Sequence, residues 1–285
     1  MWLRPGADER VSGSRSVGGT PAWAGVRRAG PEMSDTHVDP RRSAAKVPAG
    51  SMTLADATKR AQEEPATLLV LYGGTFDPVH NGHLAVARAA RDMLGVPVHL
   101  MPAADPPHRA APGADAATRA AMLDLALAGE SGLQVDRREL QRPGRSWTVD
   151  TLRALRETAP LRPVALLLGA DGFRGLPQWK EWQALFALAH LVVAERACDP
   201  LDRDLPAALA DAVADRWTAD PGDLRATPAG RVLRLRQPLS PESATEVRRR
   251  IARGESWQAM VPPAVAARIT TDGLYAHGGD GGAPL

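Results

Sequence analysis

The sequence predicts an α/β fold: a doubly wound parallel sheet with helices on both faces and a small helical part at the C-terminus. Three observations point to it. From Ala66 onward, short apolar runs alternate with amphipathic segments, as in a sheet covered on both sides. The first such run passes through two glycines into a helical pattern, a strand, turn and helix in sequence. The same unit then recurs, with a second half behind the first.

The elements follow in order. Ala66 to Tyr72 reads as a strand ending at Gly73-Gly74. Leu84, Ala87, Ala90 and Leu94 then share one helical face, and Gly95 stands where a C-terminal cap belongs. Val96 to Pro102 reads as strand, Ala114 to Ala128 as helix, Leu133 to Asp136 as a short strand and Thr148 to Thr158 as helix. Val164 to Leu168 and Leu188 to Ala194 read as buried strands flanking a helical Pro177 to Phe186, with Pro177 suited to a first turn. Val232 to Leu235 is a further strand, and helices at Ser243 to Arg253 and Pro263 to Ile269 close the chain. The arrangement is Rossmann-like.

Residues 1–65 are rich in Gly, Pro, Ser and Arg without sustained periodicity, and read as a disordered extension. Met33 and Met52 lie inside it, so the native start is expected downstream of Met1. The folded domain is expected over 66–276, with a disordered tail at 277–285.

Composition narrows the function. A formal charge of +2 on 285 residues is too weak for a nucleic-acid binder, even with a pI near 9.0. Basic residues here suit small phosphorylated ligands. Cys198 is the single cysteine, which excludes an intrachain disulfide and a cysteine metal site and suits a reducing cytosol. No run is apolar enough to cross a bilayer and no secretory signal opens the chain, so a cytoplasmic protein without membrane partners is expected.

The segment Gly73-Gly74-Thr75-Phe76-Asp77-Pro78-Val79-His80-Asn81-Gly82-His83 joins the first strand to its helix. Ligands of open α/β sheets gather at such strand ends. Two glycines admit a phosphate close to the backbone, and the helix start offers N–H groups and partial positive charge. His80 and His83, three apart, project from one face of the first turn. The spacing matches neither G-x-x-x-x-G-K-S/T nor G-x-G-x-x-G. Paired histidines also suit a metal, but no third ligand has similar local support. An exposed turn with two idle histidines is the plainer alternative.

Near the other end, Ser243-Ala244-Thr245-Glu246-Val247-Arg248 opens a helix. Ser243 with Glu246 reads as a capping box. Hydroxyls, N–H groups and an arginine at one helix start also suit a triphosphate.

GTFDPVHNGH resembles the T/H-x-G-H signature of the nucleotidylyltransferase superfamily, and SATEVR resembles the Ser-Ser/Thr-Thr-x-Ile/Val-Arg motif of its adenylyltransferase branch. Glu242 stands where that branch carries a hydrophobic residue. Between the two motifs, Leu100-Met101-Pro102, Pro106-Pro107-His108-Arg109, Arg119, Met122, Leu123, Glu139, Arg142, Ser146, Thr148, Thr151-Leu152, Gly169-Ala170-Asp171 and Trp179 resemble the bacterial nicotinate-nucleotide adenylyltransferases, as does the closing Gly273-Leu274-Tyr275. Trp147 replaces the usual Tyr, and Lys180 stands where relatives often carry an aromatic residue. The resemblance spans about residues 68–275.

That resemblance implies transfer of AMP from ATP to nicotinate mononucleotide, releasing pyrophosphate, in NAD biosynthesis. It implies His80, His83 and Arg248 as catalytic residues. Gly73, Gly74, Thr75, Phe76, Gly169, Asp171, Ser243 and Thr245 join them around ATP. Trp179 is to stack on the pyridine, backbone N–H groups near Thr148 and Lys180 are to receive its carboxylate, and His108 and Arg109 are to meet its phosphate or ribose. Mg²⁺ is to arrive on the ATP phosphates, with no all-protein metal site. Phosphopantetheine adenylylation is the nearest enzymatic rival, and a nucleotide sensor that has lost turnover is the non-enzymatic one.

Overall fold

The computed structural model describes residues 67–104, 113–142, 144–196, 201, 205–237 and 242–276. The readings at Ala66, Met33, Met52, Pro106, Pro107, His108, Arg109 and Cys198, and those of the two chain ends, lie outside the described residues.

Seven strands form one parallel sheet: β1 (Leu69–Gly74), β2 (Val98–Pro102), β3 (Leu133–Val135), β4 (Val164–Gly169), β5 (His190–Arg196), β6 (Trp217–Thr218) and β7 (Val232–Gln237). Their order is β3-β2-β1-β4-β5-β7-β6. The chain winds outward from β1 to β3, then crosses back to β4 on the other side of β1. The crevice between the carboxyl ends of β1 and β4 is therefore the topological switch point, where such sheets bind ligands.

The helices are α1 (Asn81–Leu94), α2 (Ala116–Leu127), α3 (Thr148–Thr158), α4 (Ala170–Arg174), α5 (Leu185–Leu188), α6 (Ala207–Val213), α7 (Asp223–Ala226), α8 (Ala244–Ala252) and α9 (Pro263–Asp272). Side chains alternate along a strand, so each face of the sheet receives its own core. Leu68, Val70 and Tyr72 pack with Leu84 and Leu94 of α1, Met122 and Leu123 of α2, Val247 of α8 and Ile269 of α9. Leu69 and Leu71 point the other way, to Val149 and Leu152 of α3 and Phe173 of α4. Both faces are covered, which is why the strands are apolar throughout. Gly95 adopts the left-handed conformation at φ 64° and donates to the Arg91 carbonyl, ending α1 as its position predicts.

Several elements differ from the sequence reading. Gly73 and Gly74 stay inside β1 rather than turning, and the Phe76 ring folds back over Gly74; a Cβ there would lie 2.9 Å from it. The expected helix Pro177 to Phe186 is instead two 3₁₀ turns, Leu176–Gln178 and Trp182–Ala184, followed by α5. Trp179 is extended and Glu181 left-handed at φ 48°, so the helix is interrupted between the turns. Short elements α4, α6, α7 and β6 carry too little periodicity to read.

His190 makes a fully buried clamp at the start of β5. Its Nε2 lies 2.8 Å from the Thr227 carbonyl, and its Nδ1 accepts the Arg231 N–H at 3.0 Å. Burial, the dominant cause, pushes this imidazole below its ordinary pKa, while the Thr227 bond works in the opposite direction. The unfolded chain, with an imidazole near ~6.5, then binds the proton more readily than the native one. The clamp's contribution is complete above about pH 6.5 and falls as pH drops below it, at up to about 1.4 kcal/mol per pH unit. Urea unfolding between pH 7.5 and 5 should give a steeper loss for the wild type than for His190→Gln. Parallel curves would contradict the clamp.

Candidate functional site

Thr75 and Phe76 leave β1 at the switch point, and His80 caps α1 in extended conformation. His83 lies one turn on. The two imidazoles stack at 3.7 Å between ring centres with 30° between planes. The His80 backbone N–H donates to His83 Nδ1 at 3.3 Å. With Nδ1 accepting, the proton of a neutral His83 sits on Nε2, which makes that atom a donor. The edges of Phe76 and Tyr72 meet the His83 ring at 4.9 and 6.2 Å, fixing its plane.

The second motif arrives at the same place. Ser243 caps α8, its Oγ accepting the Glu246 N–H at 3.2 Å. The reciprocal half of the expected capping box is replaced, because Glu246 turns to Arg249 and Arg250, each at 2.7 Å. These bonds, Arg249 first, hold the Glu246 carboxyl down at about 2. Arg248 reaches back to the first motif: Nη1 donates to the Asp77 carbonyl at 2.5 Å and lies 3.7 Å from its carboxylate.

Asp77 is the joint between the two motifs. Buried, it accepts the Gly113 N–H at 2.8 Å, the Ala114 N–H at 3.1 Å and the Tyr275 hydroxyl at 2.7 Å. Burial, and then Asp77, keep the Tyr275 phenol protonated by raising its pKa. Asn81 adds a bond from Nδ2 to the Ala259 carbonyl at 2.8 Å. Two helix starts from opposite ends of the folded chain are thus tied to one residue three positions before His80.

Arg119 plays a similar part from α2. It is fully buried, and it donates to the carbonyls of Thr75 at 2.6 Å, Ala103 at 2.7 Å, Ala104 at 3.1 Å and Ala114 at 3.1 Å. The Ala104 N–H in turn donates to Ser146 Oγ at 2.9 Å. This path links the turn after β1 to the segment that begins α3. Behind it, Thr151 donates to buried Glu139 at 2.8 Å, and burial raises the Glu139 pKa. Neither Asp77 nor Arg119 was assigned a role from sequence. A lone Arg in an apolar helix face, and an acid inside the first motif, were the available signals.

Of the residues expected around the acceptor, Thr148 opens α3 and Lys180 lies against its first turn, while His108 and Arg109 lie outside the described residues. Thr148 opens α3 after Trp147, whose side chain makes no capping bond. Trp147, Trp179 and Trp182 are partly buried against the second core cluster. Lys180 binds Asp150 in the first turn of α3, at 3.1 Å. Gly169 ends β4 next to β1, with open space where a Cβ would stand. Asp171 follows, 87% exposed and 3.9 Å from Arg174. A cleft of about 210 Å³ between Arg138, Arg142 and the outer flank of α3 contains none of the expected site residues.

Among the described residues no group of three His, Cys, Asp or Glu side chains is placed to hold a metal ion, and no helix is long and apolar enough to cross a membrane.

A parallel switch-point sheet with stacked histidines at one helix start and an arginine-bearing helix start beside it defines a nucleotidyltransferase, and the Cytidylyltransferase-like family model matches residues 71–250. The chain is 56% identical over 215 residues to the "Probable nicotinate-nucleotide adenylyltransferase" of Stenotrophomonas maltophilia strain K279a, covering 73% of this chain and 97% of that one. It is 49% identical over 214 residues to the protein of the same name from Xylella fastidiosa strain 9a5c, covering 73% and 96%. The chain belongs to the nicotinate-nucleotide adenylyltransferase family. Among solved structures, the Plasmodium falciparum nicotinic acid mononucleotide adenylyltransferase complexed with NaAD shares the fold at a TM-score of 0.56 and 16% identity, covering 73% of this chain and 97% of that one.

Proposed function

We propose that this protein transfers AMP from ATP to nicotinate mononucleotide, giving nicotinate adenine dinucleotide and pyrophosphate in NAD biosynthesis. The observation that carries it is the meeting of two helix starts at Asp77, which supports binding one polyphosphate from two sides. The preference for the nicotinate acceptor rests on the family.

A phosphate monoester is largely dianionic at pH 7, its second pKa being near ~6, so it attacks the α-phosphorus without a general base. A bond forms from acceptor oxygen to the α-phosphorus, and the α–β bridging P–O bond breaks as pyrophosphate leaves. The enzyme aligns the two and stabilises the charge that develops. His83 Nε2–H donates to the reacting phosphates, with His80 stacked behind it. Thr75 and Phe76 meet the nucleotide through backbone, and Gly73 and Gly74 keep the strand end narrow. Ser243 and Thr245 line the outer phosphates. Arg248, with Nη1 held by Asp77, offers the rest of its five-donor fork to the leaving group.

Gly169 and Asp171 flank the nucleotide at the end of β4. Trp179 stacks on the pyridine, the N–H groups near Thr148 and Lys180 receive the carboxylate, and His108 and Arg109 meet the acceptor phosphate or ribose. Mg²⁺ arriving with ATP would supply charge neutralisation on the triphosphate.

Pyrophosphate release from ATP, measured in parallel with nicotinate mononucleotide, nicotinamide mononucleotide and phosphopantetheine, tests the reading. The highest kcat/KM is expected with nicotinate mononucleotide. Release with phosphopantetheine alone, or with none of the three, would contradict it.

A further inference from the structure

At the start of α3 four charged side chains form a run of ion pairs. Lys180 Nζ lies 3.1 and 3.2 Å from the two Asp150 oxygens, Arg153 Nη1 lies 3.8 Å from Asp150, and Arg153 pairs with Glu181. Two cations balance two anions. Each side chain is a third to a half exposed, and pairs of that exposure contribute little to stability. The field of these charges on their surroundings matters more.

Asp150 occupies the first turn of α3. An acid there suits the helix dipole, but it opposes any second anion brought to the same N–H groups. Lys180 removes that opposition. Its ammonium is fixed between the Asp150 carboxylate and the face of Trp147, 5.7 Å from the ring centre. Glu181, in the left-handed region that side chains rarely adopt, engages Arg153, and Lys180, at 3.1 Å against 3.8 Å for Arg153, is the nearer cation to Asp150.

We propose that Lys180 is a specificity-determining residue of the acceptor site: by neutralising Asp150 at the first turn of α3, it lets that turn receive a carboxylate and favours an acid-bearing pyridine nucleotide over its amide. This rests on the acceptor reading above. Lys180 acts through Asp150, so it is a positioning residue, and its signature is the acid-to-amide ratio rather than overall activity.

The test compares kcat/KM for nicotinate mononucleotide and nicotinamide mononucleotide in the wild type, Lys180→Met, Asp150→Asn and the double variant, at low and high salt. A ratio taken within one variant cancels any loss of folded protein. Lys180→Met is expected to lower the acid-to-amide ratio by about fivefold. Adding Asp150→Asn should restore most of it, and high salt should shrink the loss. A wild type active on both acceptors whose ratio does not move in Lys180→Met, or a double variant as impaired as the single, overturns this inference alone. A wild type that adenylates neither nucleotide overturns the acceptor reading, and this inference with it.

Discussion

Replacing His83 by alanine is expected to lower turnover by on the order of 10²–10³-fold with the fold intact. The imidazole is half-buried, and it is oriented by the Phe76 and Tyr72 ring edges and by the His80 N–H at Nδ1. In the proposed reaction the Nε2–H faces the phosphates, and the substitution removes that donor. Structurally it deletes one bond at a helix start, worth about 1 kcal/mol. Single-turnover pyrophosphate release and a urea unfolding curve on the same preparation separate the two effects. Near-normal turnover would refute the assignment, and a collapse of stability would make His83 structural.

Replacing Asp77 by alanine should act the other way round, on the fold first. Its carboxylate receives two backbone N–H groups and the Tyr275 hydroxyl and faces Arg248. Each buried donor left without an acceptor costs about 1–3 kcal/mol, and the guanidinium loses its counter-charge. The partial exposure of Arg248 tempers the last part. A loss of about 3 kcal/mol or more is expected in urea unfolding. Turnover of the remaining folded protein should fall too, because Arg248 keeps its bond to the main-chain carbonyl at position 77 but loses the carboxylate that faces it. A loss below about 1 kcal/mol would mean that the joint is not made through this carboxylate.

The sequence displayed what is local. The apolar runs, the left-handed Gly95 cap, α3 from Thr148 to Thr158 and the pairing of His80 with His83 all depend on near neighbours, so spacing predicts them. What spacing could not show is the joint at Asp77, whose partners come from as far as 198 residues away. Arg119 is similar: its role depends on four carbonyls brought together only by the sheet. The break within Pro177 to Phe186 has no glycine to announce it, since the interruption falls on Glu181. At Glu246 two arginines one turn on compete with the cap, and a charge-assisted pair outweighs one backbone bond. At Gly74 a Cβ would lie 2.9 Å from the Phe76 ring, a close approach that spacing alone does not show.

The most direct test of the account is a crystal structure with a non-hydrolysable ATP analogue bound. One triphosphate is expected within hydrogen-bond distance of both His83 Nε2 and the α8 start at Ser243 to Arg248. A triphosphate held by only one of those helix starts, with the other beyond reach, would contradict it.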